Sequence, residues 1–377
     1  MENKMKLFTR LTWIALLLFF FSACGTGGGT GGGSTGGENA GGSSKKIIGY
    51  AFTTGPLQET AIYSDGSVEG VGTTLASGSG NLISLTVSGN NYLFQPNASD
   101  GITAWKVSNS GSISQVGSYN DASGCGPDNL AINPSKTELF VGCSNGGIDT
   151  FNINSDGSLT ALQTPAYTAG ANYDINSMVL DQSGTYLIVN AAVTTTDSEF
   201  LQLEVGSGGS LTLSSSQTGI VGWQSTLIAD PNTTHGNYFY AGGSGDTNYY
   251  VVSESGGTIS ATEQSALQEN SWPVWIDPTG SWLTTLNSIG STPQSTFIQQ
   301  YAIGHTGTLT TNGSPVTVNS MWEPSSSPAQ YDSAYGYVIM RAENAIIVGA
   351  PNSLNGSITI KGTGTGGFYG LAYVPVS

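Results

Sequence analysis

From Lys45 onward the chain alternates short apolar runs with clusters of Gly, Ser, Asn and Asp, and no window sustains the 3.6-residue period of an amphipathic helix. Runs such as Leu139-Phe140-Val141 and Tyr186-Leu187-Ile188-Val189 read as strands. Each follows a turn signal, Asn133-Pro134-Ser135 and Asp181-Gln182-Ser183-Gly184 respectively. Asp230-Pro231 and Asp277-Pro278-Thr279-Gly280 repeat the signal downstream. A second marker, a Gly followed by Ser or Thr and a branched apolar residue, recurs at Gly66-Ser67-Val68, Gly111-Ser112-Ile113, Gly157-Ser158-Leu159, Gly209-Ser210-Leu211, Gly257-Thr258-Ile259, Gly307-Thr308-Leu309 and Gly356-Ser357-Ile358. Seven copies, spaced 45 to 52 residues apart, predict seven units of four short strands: an all-β, seven-bladed β-propeller over residues 45–377.

The third unit illustrates the parse. Leu130-Ala131-Ile132 is its inner strand, residues 138–142 the second and 148–153 the third, with the outer strand after Gly157-Ser158. The marker glycine falls in the hairpin between third and fourth strands, where a positive φ is needed. The ends complement each other. Gly370-Leu371-Ala372-Tyr373-Val374-Pro375 reads as an inner strand with no second strand after it, and Lys46-Ile47-Ile48-Gly49-Tyr50-Ala51-Phe52 as a second strand with no inner strand before it. Together they complete one blade and close the ring, which leaves no exposed sheet edge.

The N-terminus has a different pattern. Lys4, Lys6 and Arg10 precede an apolar run over residues 11–21 and then Ser22-Ala23-Cys24, a secretory signal peptide too short to span a membrane as a mature helix. Small residues before Cys24 resemble a bacterial lipobox, which implies cleavage after residue 23 and acylation of Cys24; the alternative is an ordinary signal peptide beside a stray Cys. Acyl chains on Cys24 would anchor the protein without spanning the bilayer. Residues 25–44, nearly all Gly, Ser and Thr, form a flexible tether. Gly25, in place of a retention Asp, resembles lipoproteins sent to the outer membrane, so the expected location is the cell envelope, on its periplasmic or surface side.

Composition narrows the chemistry. Only 9% of the 377 residues are charged, against about 25% in ordinary domains, which excludes a charged helical bundle; 54 Gly suit a turn-rich fold. Hydrophobic residues at 38%, with 10% aromatics, suffice for a core. A net charge of −16 repels phosphate backbones, so nucleic acid is not an expected partner. The chain is read as a monomer.

The run Gly126-Pro127-Asp128-Asn129-Leu130-Ala131-Ile132-Asn133-Pro134-Ser135, with Leu139-Phe140-Val141 and Asp156-Gly157-Ser158-Leu159-Thr160, resembles a blade of the seven-bladed lactonase family, the propeller type of 6-phosphogluconolactonase. The resemblance implies the fold over about 330 residues. Family blades of this kind carry a His after Gly-Pro, whereas this chain has Asp128. With no Arg or Lys cluster for phosphate either, hydrolysis of a phosphorylated lactone is not supported.

Cys125 and Cys143 flank the first hairpin of the third blade. A turn centred near Pro134 places them opposite one another, as a disulfide in an exported protein or as two buried thiols. No ligand cluster supports zinc. At the channel mouth, the residues five before Asn133, Asp181, Asp230 and Asp277 are Asp128, Asn176, Ser225 and Trp272; looser alignment adds Asn81 and, from the closing blade, Tyr369. Asn81, Asp128 and Asn176 offer converging oxygens for Ca²⁺; otherwise they cap turns and hold channel water. Arg341, in a loop expected at the mouth, is placed for a carboxylate or for pairing with Glu343. Trp223, Trp272, Trp275 and Trp322 suit sugar stacking or packing between blades. His235 and His305 are expected as solvated turn residues. These features point to a binding or scaffold module for a carbohydrate or an envelope protein. The second reading is a divergent lactonase acting on an unphosphorylated lactone, with Asp128 as catalytic base.

Overall fold

The computed structural model describes residues 45–376 apart from 55–56, 76–79, 98–100, 121–125, 171–172, 195–196, 245–248, 265–270, 290–294, 319–327, 343–344 and 366–368. The signal peptide, Cys24 and the tether therefore lie outside the described residues, as do Cys125, Trp322 and Glu343. Residues 45–377 form one compact unit.

Its strands make seven four-stranded antiparallel sheets. Blade one holds β1 (Ile47–Thr54), β2 (Leu57–Tyr63) and β3 (Val68–Leu75). Blade two holds β4 (Ile83–Val87), β5 (Asn90–Asn97), β6 (Gly101–Val107) and β7 (Ile113–Tyr119). Blade three holds β8 (Pro127–Ile132), β9 (Glu138–Cys143), β10 (Gly147–Ile153) and β11 (Leu159–Thr168). Blade four follows with β12 (Asp174–Leu180), β13 (Tyr186–Ala192), β14 (Asp197–Val205) and β15 (Leu211–Val221). Blade five has β16 (Trp223–Ala229), β17 (Asn237–Ser244), β18 (Tyr250–Ser255) and β19 (Thr258–Glu263). Blade six has β20 (Ser271–Ile276), β21 (Trp282–Ile289), β22 (Ser295–Ile303) and β23 (Leu309–Val318). Blade seven has β24 (Gln330–Asp332), β25 (Tyr337–Ala342), β26 (Ala345–Pro351) and β27 (Ile358–Thr365). The chain ends on β28 (Tyr369–Pro375), which pairs with β1 as the inner strand of blade one. The ring closes as the termini predict.

Successive strand residues point to opposite faces of a sheet, and in a propeller both faces meet a neighbour. Leu187 and Val189 accordingly join the core between blades three and four, while Ile188, between them in sequence, joins the core between blades four and five. This is why the strands read as continuous apolar runs. Among the described residues seven such clusters occur, one for each blade interface, including the closing interface where Ile339, Ile346 and Val348 meet Ile48, Ile62 and Leu371.

The marker glycines do what their positions predict. All seven, Gly66, Gly111, Gly157, Gly209, Gly257, Gly307 and Gly356, have positive φ. Four also lie against an aromatic ring near the start of the second strand of the preceding blade: Gly111 on Tyr50, Gly157 on Tyr92, Gly307 on Tyr238 and Gly356 on Trp282. The repeat therefore encodes a turn and an interblade contact together.

Two local expectations are corrected. In the first hairpin of blade three, Leu130 pairs with Val141 and Pro127 with Cys143, so among the described residues Pro127 stands opposite Cys143. The turn runs on to Glu138, whose carbonyl accepts from the Asn133 N–H at 3.1 Å, and this moves its centre past Pro134. His235 is not solvated. Its side chain is 8% exposed, with Nδ1 3.1 Å from Asp230 Oδ2 and its ring edge-to-face with that of His305 at 5.3 Å. His305 does sit in an exposed hairpin turn.

Candidate functional site

The inner strands β4, β8, β12, β16, β20, β24 and β28 all start at the same face and run in the same direction around the axis. They enclose a central cavity of about 360 Å³. Residues 130–132, 177–180 and 227–229 give it an apolar wall, and Asn81, Ser177 and Gln330 contribute polar side chains; none of its lining residues is cationic. Ser177 Oγ is buried and makes no hydrogen bond among the described residues. A buried hydroxyl without a partner costs about 1–3 kcal/mol, which a bound group that reaches it would recover.

A β-bulge near the start of most inner strands shapes the rim. The ladder slips between Pro127 and Asn129, between Ile175 and Ser177, between Trp223 and Thr226, and between Pro273 and Trp275. Each slip leaves extra residues out of the pairing and re-aims their side chains. The bulged residues are Asp128, Asn176, the pair Gln224 and Ser225, and Val274. Three of the four rim residues chosen from turn spacing are thus bulge residues.

The side chains of Asn176 and Ser225 are engaged by neighbours. Asn176 Nδ2 turns sideways and donates to Asn190 Oδ1 at 3.4 Å within the same blade. Trp272 is buried in the core of blades six and seven and donates its indole N–H to Ser225 Oγ at 3.0 Å. That pair fastens blade five to blade six, so Trp272 packs between blades. Asn81 does line the cavity, and its backbone N–H donates to the Asp128 carbonyl at 2.9 Å. Tyr369 opens β28. Arg341 is corrected: it lies inside β25 opposite Ile346, 3% exposed, rather than in a loop open at the mouth. The strand continues one residue past it because its backbone pairs with β26. Among the described residues no group of three or more His, Cys, Asp and Glu is poised to hold a metal.

Sequence spacing missed Asp174, at the first position of β12. Burial raises its carboxyl from the ordinary 3.8 to about 6, and the neighbouring charge of Asp128 adds to the shift. Burial raises Asp128 as well. Two acids at the starts of adjacent inner strands were the available signal. A carboxyl raised toward neutral pH beside a second acid is a candidate acid–base group.

The shift predicts a pH dependence. A raised folded-state pKa means that the protonated form is favoured by folding; the contribution is complete below the ordinary value and is lost as pH rises through about 6. Asp174→Asn should therefore stabilise the protein at pH 7.5 by about 1–2 kcal/mol, after allowance for solvent screening, and leave it unchanged at pH 4. Urea unfolding at the two pH values measures this. Equal effects at both would remove the electrostatic account.

No family model matches the sequence, and no curated protein matches it. Solved structures do match the fold. A protein from Lactobacillus plantarum is similar with a TM-score of 0.69 and 13% identity, over 88% of this chain and 100% of the other. A protein from Bacteroides fragilis, named as a candidate 6-phosphogluconolactonase, gives 0.67 and 14% over 90% and 100%. The periplasmic gluconolactonase of Pseudomonas aeruginosa gives 0.65 and 14% over 88% and 100%. The blade pattern read from residues 126–160 is thus shared, as a fold, with propellers that carry lactonase names.

Proposed function

We propose that this chain is an exported lipoprotein, anchored at the outer membrane through acylated Cys24, whose propeller binds an uncharged, hydroxyl-bearing ligand such as a carbohydrate at the channel mouth. The observation that carries the reading is Ser177: a buried hydroxyl without a hydrogen bond among the described residues, facing a 360 Å³ cavity with an apolar wall and few polar groups. Ligand sites are commonly built in this way. The neighbouring acids Asp128 and Asp174, at the starts of adjacent inner strands, and the overall charge of −16 disfavour anionic ligands. A disulfide between Cys125 and Cys143 belongs to the same exported reading. It is supported by the burial of Cys143 in the strand paired with the segment that follows Cys125.

A second reading is favoured by one feature, the carboxyl of Asp174, raised to about 6 by burial and by the charge of neighbouring Asp128. In a hydrolase of unphosphorylated lactones, Asp128 or Asp174 would take a proton from the attacking water, and Asn81 would orient substrate or Ca²⁺. The Pseudomonas neighbour's name, gluconolactonase, supports the same substrate class.

One experiment separates them. The full chain in detergent is titrated with neutral oligosaccharides by saturation-transfer NMR, and acid release from plain and phosphorylated lactones is followed by pH-stat, with Ca²⁺ and then with chelator. The binding reading expects saturable sugar binding that Ser177→Val weakens at least about fivefold, with no acid release above the uncatalysed rate. Turnover lost in Asp128→Asn, or on chelation, moves the protein to the hydrolases. Neither binding nor turnover would leave a partner protein or a structural envelope role.

A further inference from the structure

Inner strands run from the mouth to the opposite face, so turns between first and second strands and hairpins between third and fourth strands gather on that second face. Between blades six and seven they enclose a separate cavity of about 240 Å³. Trp275, Trp282 and Tyr331 supply its apolar surface, and Gln300, Asn352 and Thr279 stand among its polar edges. Trp275 and Tyr331 come from adjacent inner strands, with ring centroids 5.7 Å apart and planes tilted by 33°. The two rings form an open aromatic angle, not a closed stack.

Three features set this place apart. Of the six large hydrophobic residues exposed among the described ones, three belong to the segments that line this cavity: Tyr331 (39% exposed), Tyr335 (41%) and Leu354 (92%). Its carboxylate is fixed in place, because Asp277 accepts from the Ser281 and Trp282 N–H groups and from the Thr279 hydroxyl. As in the channel cavity, none of the described lining residues is cationic. The inner strand β24 has three residues, shorter than those of the other blades, and it leaves Tyr331 presented to solvent at this end.

We propose that this cavity is a second ligand site, on the face opposite the channel mouth, for a neutral pyranose ring. A pyranose has an apolar C–H face that matches the exposed Tyr331 ring, which is backed by the buried Trp275, and hydroxyls that match carboxamides, a threonine hydroxyl and a carboxylate. The volume lies just below the range of about 300–1,000 Å³ usual for larger ligands, which suits a single sugar unit. Anionic sugars fit poorly, since the lining carries Asp277 and no positive charge. Exposed Tyr335 and Leu354 extend the apolar surface beyond one ring, as a polysaccharide chain would require. The site is independent of the channel reading.

The test uses the full chain in detergent and the methyl pyranosides of glucose, galactose and N-acetylglucosamine, read by saturation-transfer NMR. Saturable binding of at least one is expected. In a chain carrying Ser177→Val, which weakens the channel site, saturable binding should persist, and Tyr331→Ala added to it should weaken what remains about tenfold. Folding of each variant is checked by circular dichroism; should Tyr331→Ala fail to fold, Ser353→Phe, at an exposed position on the rim, blocks the cavity instead and should abolish binding. No saturable binding of any of the three, binding that Ser177→Val removes, or binding that Tyr331→Ala or Ser353→Phe leaves within twofold overturns the proposal.

Discussion

A chain ending at residue 369 is expected to lose cooperative folding altogether. The deletion removes all but the first residue of β28, and with it Leu371, Ala372, Tyr373 and Val374, all buried within blade one and against its neighbours. Burial of such side chains contributes about 1.5–3 kcal/mol each for the larger ones, so the loss approaches the whole stability of a typical domain, about 5–15 kcal/mol. Two further costs accompany it. The β1 edge, now paired with β28 from Gly49 to Thr54, is left open to aggregation. Asp332 also loses its buried partner, since the Tyr373 hydroxyl donates to its Oδ2 at 2.5 Å. Calorimetry and urea unfolding measure the effect. A single sharp transition within a few degrees of the full chain would show that the ring does not depend on closure by β28.

Gly157→Ala should destabilise the protein by about 3 kcal/mol. An L-residue at φ +77° is strained by roughly 1–2 kcal/mol, and the new Cβ would lie 2.2 Å from Cδ1 of Tyr92, in a core contact where overpacking costs about 1–3 kcal/mol. Gly89→Ala supplies the control. Its φ is +76°, yet nothing lies within 4 Å of the added carbon, so strain acts alone and the loss should stay near 1 kcal/mol. Urea midpoints of the two variants decide the matter. Equal losses would mean that the aromatic contact between blades carries no weight and the glycines serve the turn only.

That pair of glycines also marks where legibility stops. The positive φ of each marker glycine is a local demand of a tight hairpin, and the sequence around it announces the turn. The ring of Tyr92 under Gly157 is contributed by the preceding blade, through packing that no spacing rule reveals. The same division runs through the candidate site. Asn81 lines the channel as its alignment implies, whereas Asn176 turns to Asn190 and Ser225 to Trp272. Bulges in the inner strands decided this. One unpaired residue re-aims every side chain between it and the strand end, and a bulge depends on ladder register, which residue counting from a turn cannot supply. Arg341 was displaced inward for a related reason: its backbone found a partner on β26 and the strand ran on.

The sequence by itself determined the repeat, the all-β class, the number of blades and the closing of the ring by its two ends. Those follow from short-range chemistry: turn residues, apolar runs buried on both faces, and hairpin glycines at a regular interval. Tertiary structure alone decided which polar groups meet. It set Asp174 beside Asp128 and raised its carboxyl, left the Ser177 hydroxyl without a partner among the described residues, buried the His235 side chain against Asp230, and angled Tyr331 against Trp275 on the far face. Each of these joins residues from separate turns or adjacent blades, or depends on the register and burial of one strand. Their energies depend on desolvation and mutual distance, quantities that exist only once the ring is closed.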